Sequence, residues 1–248
     1  MSPQRHRRRP LPRRARGVTL VELLVSMAIA VFLLSGLLVI VQNTRNTFGS
    51  QNQLAQLQDN ERLAMTLMGD VIQAAGYFPD PTTNTAAGAM PADGAFPVAG
   101  QPIIGARQAG APEDQITVRY MTASGDGIIN CTGNTNTSGA TRLYENAFAI
   151  DANGNLTCSV NGAAPVILIS GIQNLQIFYG VQTNTAVGNG AVDSYMRANE
   201  MTATYWNNVI SVKVRVFFTN PLANLPNQPA VILVERVVGV MNRGGVKT

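Results

Sequence analysis

From Val18 to Val41 the chain is an unbroken apolar run, VTLVELLVSMAIAVFLLSGLLVIV, in which Glu22 is the single charge. At about 1.5 Å per residue, a helix of this length crosses a hydrocarbon layer roughly 30 Å thick, so residues 18–41 read as a membrane span. Whatever follows Val41 is then tethered to a bilayer by its own N-terminus. Glu22 is the anomaly in the run, since a carboxylate inside a bilayer costs on the order of 2.5–3.5 kcal/mol even on lenient insertion scales. Either its side chain snorkels to the interface or it meets a partner that offsets that cost.

A formal charge of +4 and a pI near 9.4 would suggest nucleic acid or anionic lipid if the charge were spread evenly. It is not. Arg5, Arg7, Arg8, Arg9, Arg13, Arg14 and Arg16 all precede the apolar run and no acid accompanies them, so beyond Gly17 eleven basic residues face fourteen acidic ones. The basic balance belongs to a leader, residues 1–17, whose polar composition and Pro3, Pro10 and Pro12 argue against stable structure. With only Arg45 just past the run, the asymmetry places the N-terminus in the cytoplasm and the remainder outside. An ordinary secretory signal fits poorly, because the run exceeds an h-region of about 7–15 residues and no A-x-A-like site follows.

Beyond Val41, Leu54, Leu57, Ala64, Leu67, Met68, Val71, Ile72 and Ala75 recur at three- and four-residue steps. No proline occurs from Val18 to Phe78, so one long helix is expected, its segment 42–78 an amphipathic continuation of the span. Gly76 and Pro79 supply the stop. Residues 79–113, rich in Pro, Gly, Ala and Thr, read as an irregular loop. Strands are expected at Ile116–Met121, Thr141–Ile150, Leu156–Val160, Val166–Ile169, Leu175–Val181, Val209–Phe218 and Val231–Val240. In the clearest of them Val212, Val214 and Val216 alternate with Ser211, Lys213 and Arg215, one face apolar and the other wet. An amphipathic helix beside an antiparallel sheet gives an α+β fold whose β-rich head occupies residues 79–248.

Gly17, then Val18, Thr19, Leu20, Val21, Glu22 and the apolar run resemble the type IV prepilin signal. The resemblance implies peptidase cleavage between Gly17 and Val18, N-methylation of Val18, and pairing of Glu22 with the new N-terminal amine of a neighbouring subunit during filament assembly. The usual first mature residue is Phe, and here it is Val18. LQDNERLAMTLMGDVIQAAGY (Leu57–Tyr77), GIQNLQIFYGV (Gly171–Val181), VDSY (Val192–Tyr195) and WNNVISVKVRV (Trp206–Val216) are similar to segments of the PilW-type minor pilins. That family implies a type IV pilin-like fold and a low-abundance subunit that primes pilus assembly at the inner membrane, can cap the tip and serves twitching motility or adhesion. The implied partners are other minor pilins, the major pilin, the prepilin peptidase, the inner-membrane assembly machinery and, before assembly, lipid. Its implied location is the inner membrane in a single pass, head in the periplasm, and then the fibre or its tip. A minor pseudopilin of a type II secretion system shares signal, helix and head, and a signal-anchored exterior binding domain remains a further reading.

Chemistry-bearing motifs are sparse. The single histidine, His6, lies in the leader, which leaves no Ser-His-Asp or Cys-His catalysis and no common zinc site beyond it. Neither G-x-x-x-x-G-K-[ST] nor G-x-G-x-x-G occurs, so no catalytic residue, metal or cofactor is expected. Asp151-Ala-Asn153-Gly154-Asn155 has the opening of a calcium loop, but Gly162 stands where the bidentate glutamate belongs, and Asn153-Gly154 reads better as a hairpin turn. Tyr179, Tyr195, Tyr205 and Trp206 form either core or a subunit-binding patch, with core the expectation. Lys213 and Arg215 alone do not make a nucleic-acid surface. Cys131 and Cys158 suit an oxidising compartment, either as a disulfide closing a loop of roughly 27 residues, worth about 2–4 kcal/mol, or as two buried thiols.

Overall fold

The computed structural model describes residues 17–107, 114–184 and 190–241. Most of the leader thus lies outside the described residues. Two compact units are present, Met1–Gln51 and Asn52–Thr248.

Helix α1 runs Leu20–Gln73 and enters both units. Its start is capped by Thr19, whose Oγ1 accepts from the Glu22 amide at 3.3 Å. Within the first unit every described residue from 17 to 49 is exposed. Hydroxyls in the apolar stretch donate back into the helix, Ser26 to Leu23 O at 2.8 Å and Ser35 to Phe32 O at 2.7 Å, so neither needs water.

In the second unit Leu57, Ala64, Met65, Met68, Val71 and Ile72 form the buried stripe of α1. The helix stops at Gln73, five residues short of the expected Phe78. Gly76 takes a left-handed φ of 75° and donates its N–H to Arg119 O at 3.0 Å, so the turn is captured by a strand before the helix can continue.

Two antiparallel sheets follow, where the sequence suggested one. The first has strand order β1-β2-β3-β4-β5, from β1 (Ile103–Arg107), β2 (Asp114–Thr122), β3 (Arg142–Ile150), β4 (Asn155–Val160) and β5 (Val166–Ser170). The second has order β7-β6-β8-β9, from β6 (Ile172–Val181), β7 (Ser194–Met196), β8 (Val209–Thr219) and β9 (Val231–Gly239). Their inner faces share one core with the helix: Ile116, Val118, Phe148 and Leu156 from one sheet, Leu175, Ile177, Val212, Val214 and Val216 from the other.

All seven expected strands are present. Strand β1 and a capped helical turn, α2 (Ala86–Ala89), occupy the stretch read as loop, and three-residue β7 had no pattern long enough to see. Between β3 and β4 the turn is built as expected: Asp151 Oδ1 accepts from the amides of Asn153 and Asn155, both at 2.9 Å, and Gly154 has φ 74°. On β8 the three valines are buried. Ser211, expected on the wet face, is also buried, its Oγ 3.1 Å from the Tyr195 hydroxyl.

Candidate functional site

The apolar segment is the outstanding surface of the first unit. Val18 is 70% exposed and Phe32 77%, and the large apolar side chains from Val18 to Val41 are all accessible. Burying each is worth about 1.5–3 kcal/mol, so covering the stretch gains on the order of tens of kcal/mol, and water is not its working solvent. α1 is long and apolar enough to cross a membrane by length and composition. Gly17 precedes the helix in exposed, irregular backbone, and Val18 and Thr19 lead into the first turn. Glu22 sits in that turn, where the partial positive charge of the helix N-terminus favours a carboxylate. The geometry therefore brings an exposed Gly17–Val18 junction and a lone carboxylate together at the start of one apolar helix.

The cysteines of the second unit are disulfide-bonded, Cys131 to Cys158, with Cα atoms 6.2 Å apart and both residues buried. The bond fastens the Asn-, Thr- and Gly-rich stretch between β2 and β3 to strand β4. Asn146 Oδ1 accepts the Cys131 amide at 2.9 Å, a second fixed point for the same stretch.

Tyr179 and Trp206 are core, with rings edge to face and centroids 4.7 Å apart. Burial pushes the Tyr179 phenol well above its ordinary pKa. Tyr195 lies apart, on the outer face of the second sheet under Lys213 Nζ, 4.6 Å from the ring centroid. The four aromatics therefore do not form one patch. Lys213 and Arg215 both pair with Glu235, which leaves that face little net positive charge.

Two buried charges were not anticipated. Arg119 sits between the inward Val118 and Tyr120, where strand alternation turns a side chain away from the shared core, and there it is fully buried under residues 90–101. Its guanidinium donates to Gln101 O and Pro91 O at 2.7 Å, to Val98 O at 3.2 Å and to Asp93 Oδ2 at 3.0 Å, and it stacks 4.1 Å from the Phe96 centroid. Burial holds Arg119 below its ordinary pKa and raises the carboxyl of Glu145, directly opposite on β3. Asp114 is the other. Its Oδ2 accepts the Ile177 amide at 2.8 Å and lies 3.5 Å from Arg197 Nη2, joining β2 of one sheet to β6 of the other. No local pattern marks either one: Asp114 precedes the expected strand, and Arg119 stands where alternation allows a polar residue. Among the described residues, no group of three or more His, Cys, Asp or Glu is placed to hold a metal.

The family model of type IV pilus-assembly protein W matches residues 134–236, and that of the prokaryotic N-terminal methylation motif matches residues 12–38. The first match takes in β3 through most of β9; the second straddles the Gly17–Val18 junction. Among solved structures, a type IV-like pilin from Thermus thermophilus is similar at 13% identity and a TM-score of 0.44, over 76% of this chain and 97% of that one. No curated protein matches the sequence. The two family matches support a type IV pilus minor pilin of the PilW type.

Proposed function

We propose that this PilW-type pilin works as a minor pilin that helps prime type IV pilus assembly and takes a place at the fibre tip, in support of pilus biogenesis, twitching motility or adhesion. The observation that carries the reading is the fully exposed apolar start of α1 with a lone carboxylate in its first turn, directly after an exposed Gly17–Val18 junction. In this reading the prepilin peptidase cuts between Gly17 and Val18 and methylates the Val18 amine. The cut creates a cation at the head of an apolar helix, where an uncompensated charge is costly. Glu22 of one subunit neutralises the amine of its neighbour, so helix packing is favoured only where the two charges meet.

Before assembly, residues 18–41 hold the subunit in the inner membrane with the arginine-rich leader cytoplasmic and the head periplasmic. Packing against the major pilin and other minor pilins then replaces lipid around the same apolar surface. Such a role is structural. The energy for extraction comes from the inner-membrane machinery rather than from this chain.

Glu22→Ala tests the role. The variant is expected to insert and to be processed normally, because it makes the span more apolar, yet to give few pili and poor twitching. Full piliation by Glu22→Ala cells would refute the assembly role.

A further inference from the structure

We infer that the two sheets enclose a hydration site, in which one buried water molecule is held by Asp114 Oδ1, the Tyr179 hydroxyl and Arg197 Nε. The inference concerns the second unit and stands apart from the reading of the apolar helix.

The three groups come from three elements that meet in one place. Asp114 opens β2, and its Oδ2 crosses to the second sheet to accept the Ile177 amide at 2.8 Å. Tyr179 is two residues further along β6, so its side chain leaves the same face as that of Ile177. Arg197 follows β7, whose Met196 pairs with Tyr179, and its Nη2 lies 3.5 Å from Asp114 Oδ2. A Cβ at Gly105 would collide with the Tyr179 hydroxyl, so the hydroxyl reaches the same β1–β2 pair that carries Asp114.

Asp114 is 1% exposed and Tyr179 0%. Even so, Asp114 Oδ1, the Tyr179 hydroxyl and Arg197 Nε are all buried atoms without a hydrogen-bond partner in the protein. Arg107 Nε, 3.8 Å from Asp114 Oδ1, is too far to bond it. Orphaned polar atoms are rare in native interiors because each bears the cost of lost hydration. Three at one junction make a complementary set.

Their chemistry selects the occupant. The carboxylate oxygen only accepts, the Nε–H only donates, and the hydroxyl does either. A cation would face the guanidinium groups of Arg197 and Arg107, and an anion would face the Asp114 carboxylate. A neutral molecule that both donates and accepts serves all three groups, and the smallest such molecule is water. It accepts from Arg197 Nε, donates to Asp114 Oδ1 and shares its remaining bond with Tyr179. Burial, and then the charge of Asp114, push the Tyr179 phenol above its ordinary pKa, so the hydroxyl keeps its proton.

The test is water-to-protein cross-relaxation by NMR on the full-length chain in detergent micelles. The Ile177 amide and the Tyr179 ring protons are expected to show cross-peaks to water, with the sign of a bound rather than a freely diffusing molecule. Tyr179→Phe and Arg197→Met each leave two partners and should keep the Ile177 cross-peak. The double variant leaves Asp114 alone and should lose it, with slow amide exchange in β8 confirming that each variant is folded. Absence of the cross-peak in the unaltered chain would overturn the inference. So would its loss in Tyr179→Phe, which would trace it to the exchanging hydroxyl proton, or its survival in the double variant.

Discussion

Replacing Arg119 by methionine keeps much of the side-chain volume and removes the guanidinium alone. The side chain is fully buried, and its shortest hydrogen bonds reach Gln101 O and Pro91 O, both at 2.7 Å. Each carbonyl left without a donor costs about 1–3 kcal/mol, so these two together lose about 2–6 kcal/mol. Bonds to Val98 O at 3.2 Å and Met90 O at 3.4 Å add less. The pair with Asp93 adds little, because Asp93 remains a third exposed and solvent screens it. Lifting residues 90–101 off the sheet rehydrates those carbonyls, but it exposes Phe96 and Met90 at about 1.5–3 kcal/mol each. The two penalties are similar, so Arg119→Met should open the flap locally while the core stays folded. Amide exchange and limited proteolysis would show residues 90–101 unprotected, with β6 and β8 unchanged. Arg119→Lys should fall between, since an ammonium cannot reproduce a fork that reaches several carbonyls. A flap that stays protected in Arg119→Met would refute the reasoning.

Ile72→Ala, at the fully buried end of the α1 stripe, should destabilise the second unit by about 2–5 kcal/mol in denaturant unfolding. Gly105→Ala places a methyl against the buried Tyr179 hydroxyl and ring, and should cost about 1–3 kcal/mol through overpacking, visible as a lower melting temperature. Cys131→Ser together with Cys158→Ser should lose about 2–4 kcal/mol and free the stretch between β2 and β3 to exchange. The Asn155 side chain and backbone, then the Asn153 amide, hold the Asp151 carboxyl below its ordinary pKa. Its stabilisation is therefore complete above the unfolded value near about 3.9 and fades as pH falls through the lower folded one. Asp151→Asn should flatten that part of the acid unfolding profile, and an unchanged profile would count against the turn's role.

Periodicity carried most of the fold. The valines of β8 and the three- and four-residue steps of α1 are patterns set by burial on one face, and burial on one face is what both elements do. Legibility failed where a residue's partner is distant in sequence. Nothing local to ITVRYMT says that residues 90–101 return to cover Arg119, and nothing near Asp114 announces the Ile177 amide. The stop of α1 was legible in part: Gly76 marks it in the sequence, while the Arg119 carbonyl that captures its N–H is a distant partner no local pattern names. The candidate site was legible for the opposite reason: Gly17, Val18 and Glu22 sit within six consecutive residues, and their apolar context is written beside them.

The central claim rests on the fate of the Gly17–Val18 bond. The direct measurement is the N-terminal mass of the chain isolated from membranes of cells with and without an active prepilin peptidase. A chain that begins at Val18, methylated, and is seen only when the peptidase is active is the predicted result. A chain that keeps residues 1–17 in both strains would contradict the account and leave Glu22 without an amine to meet.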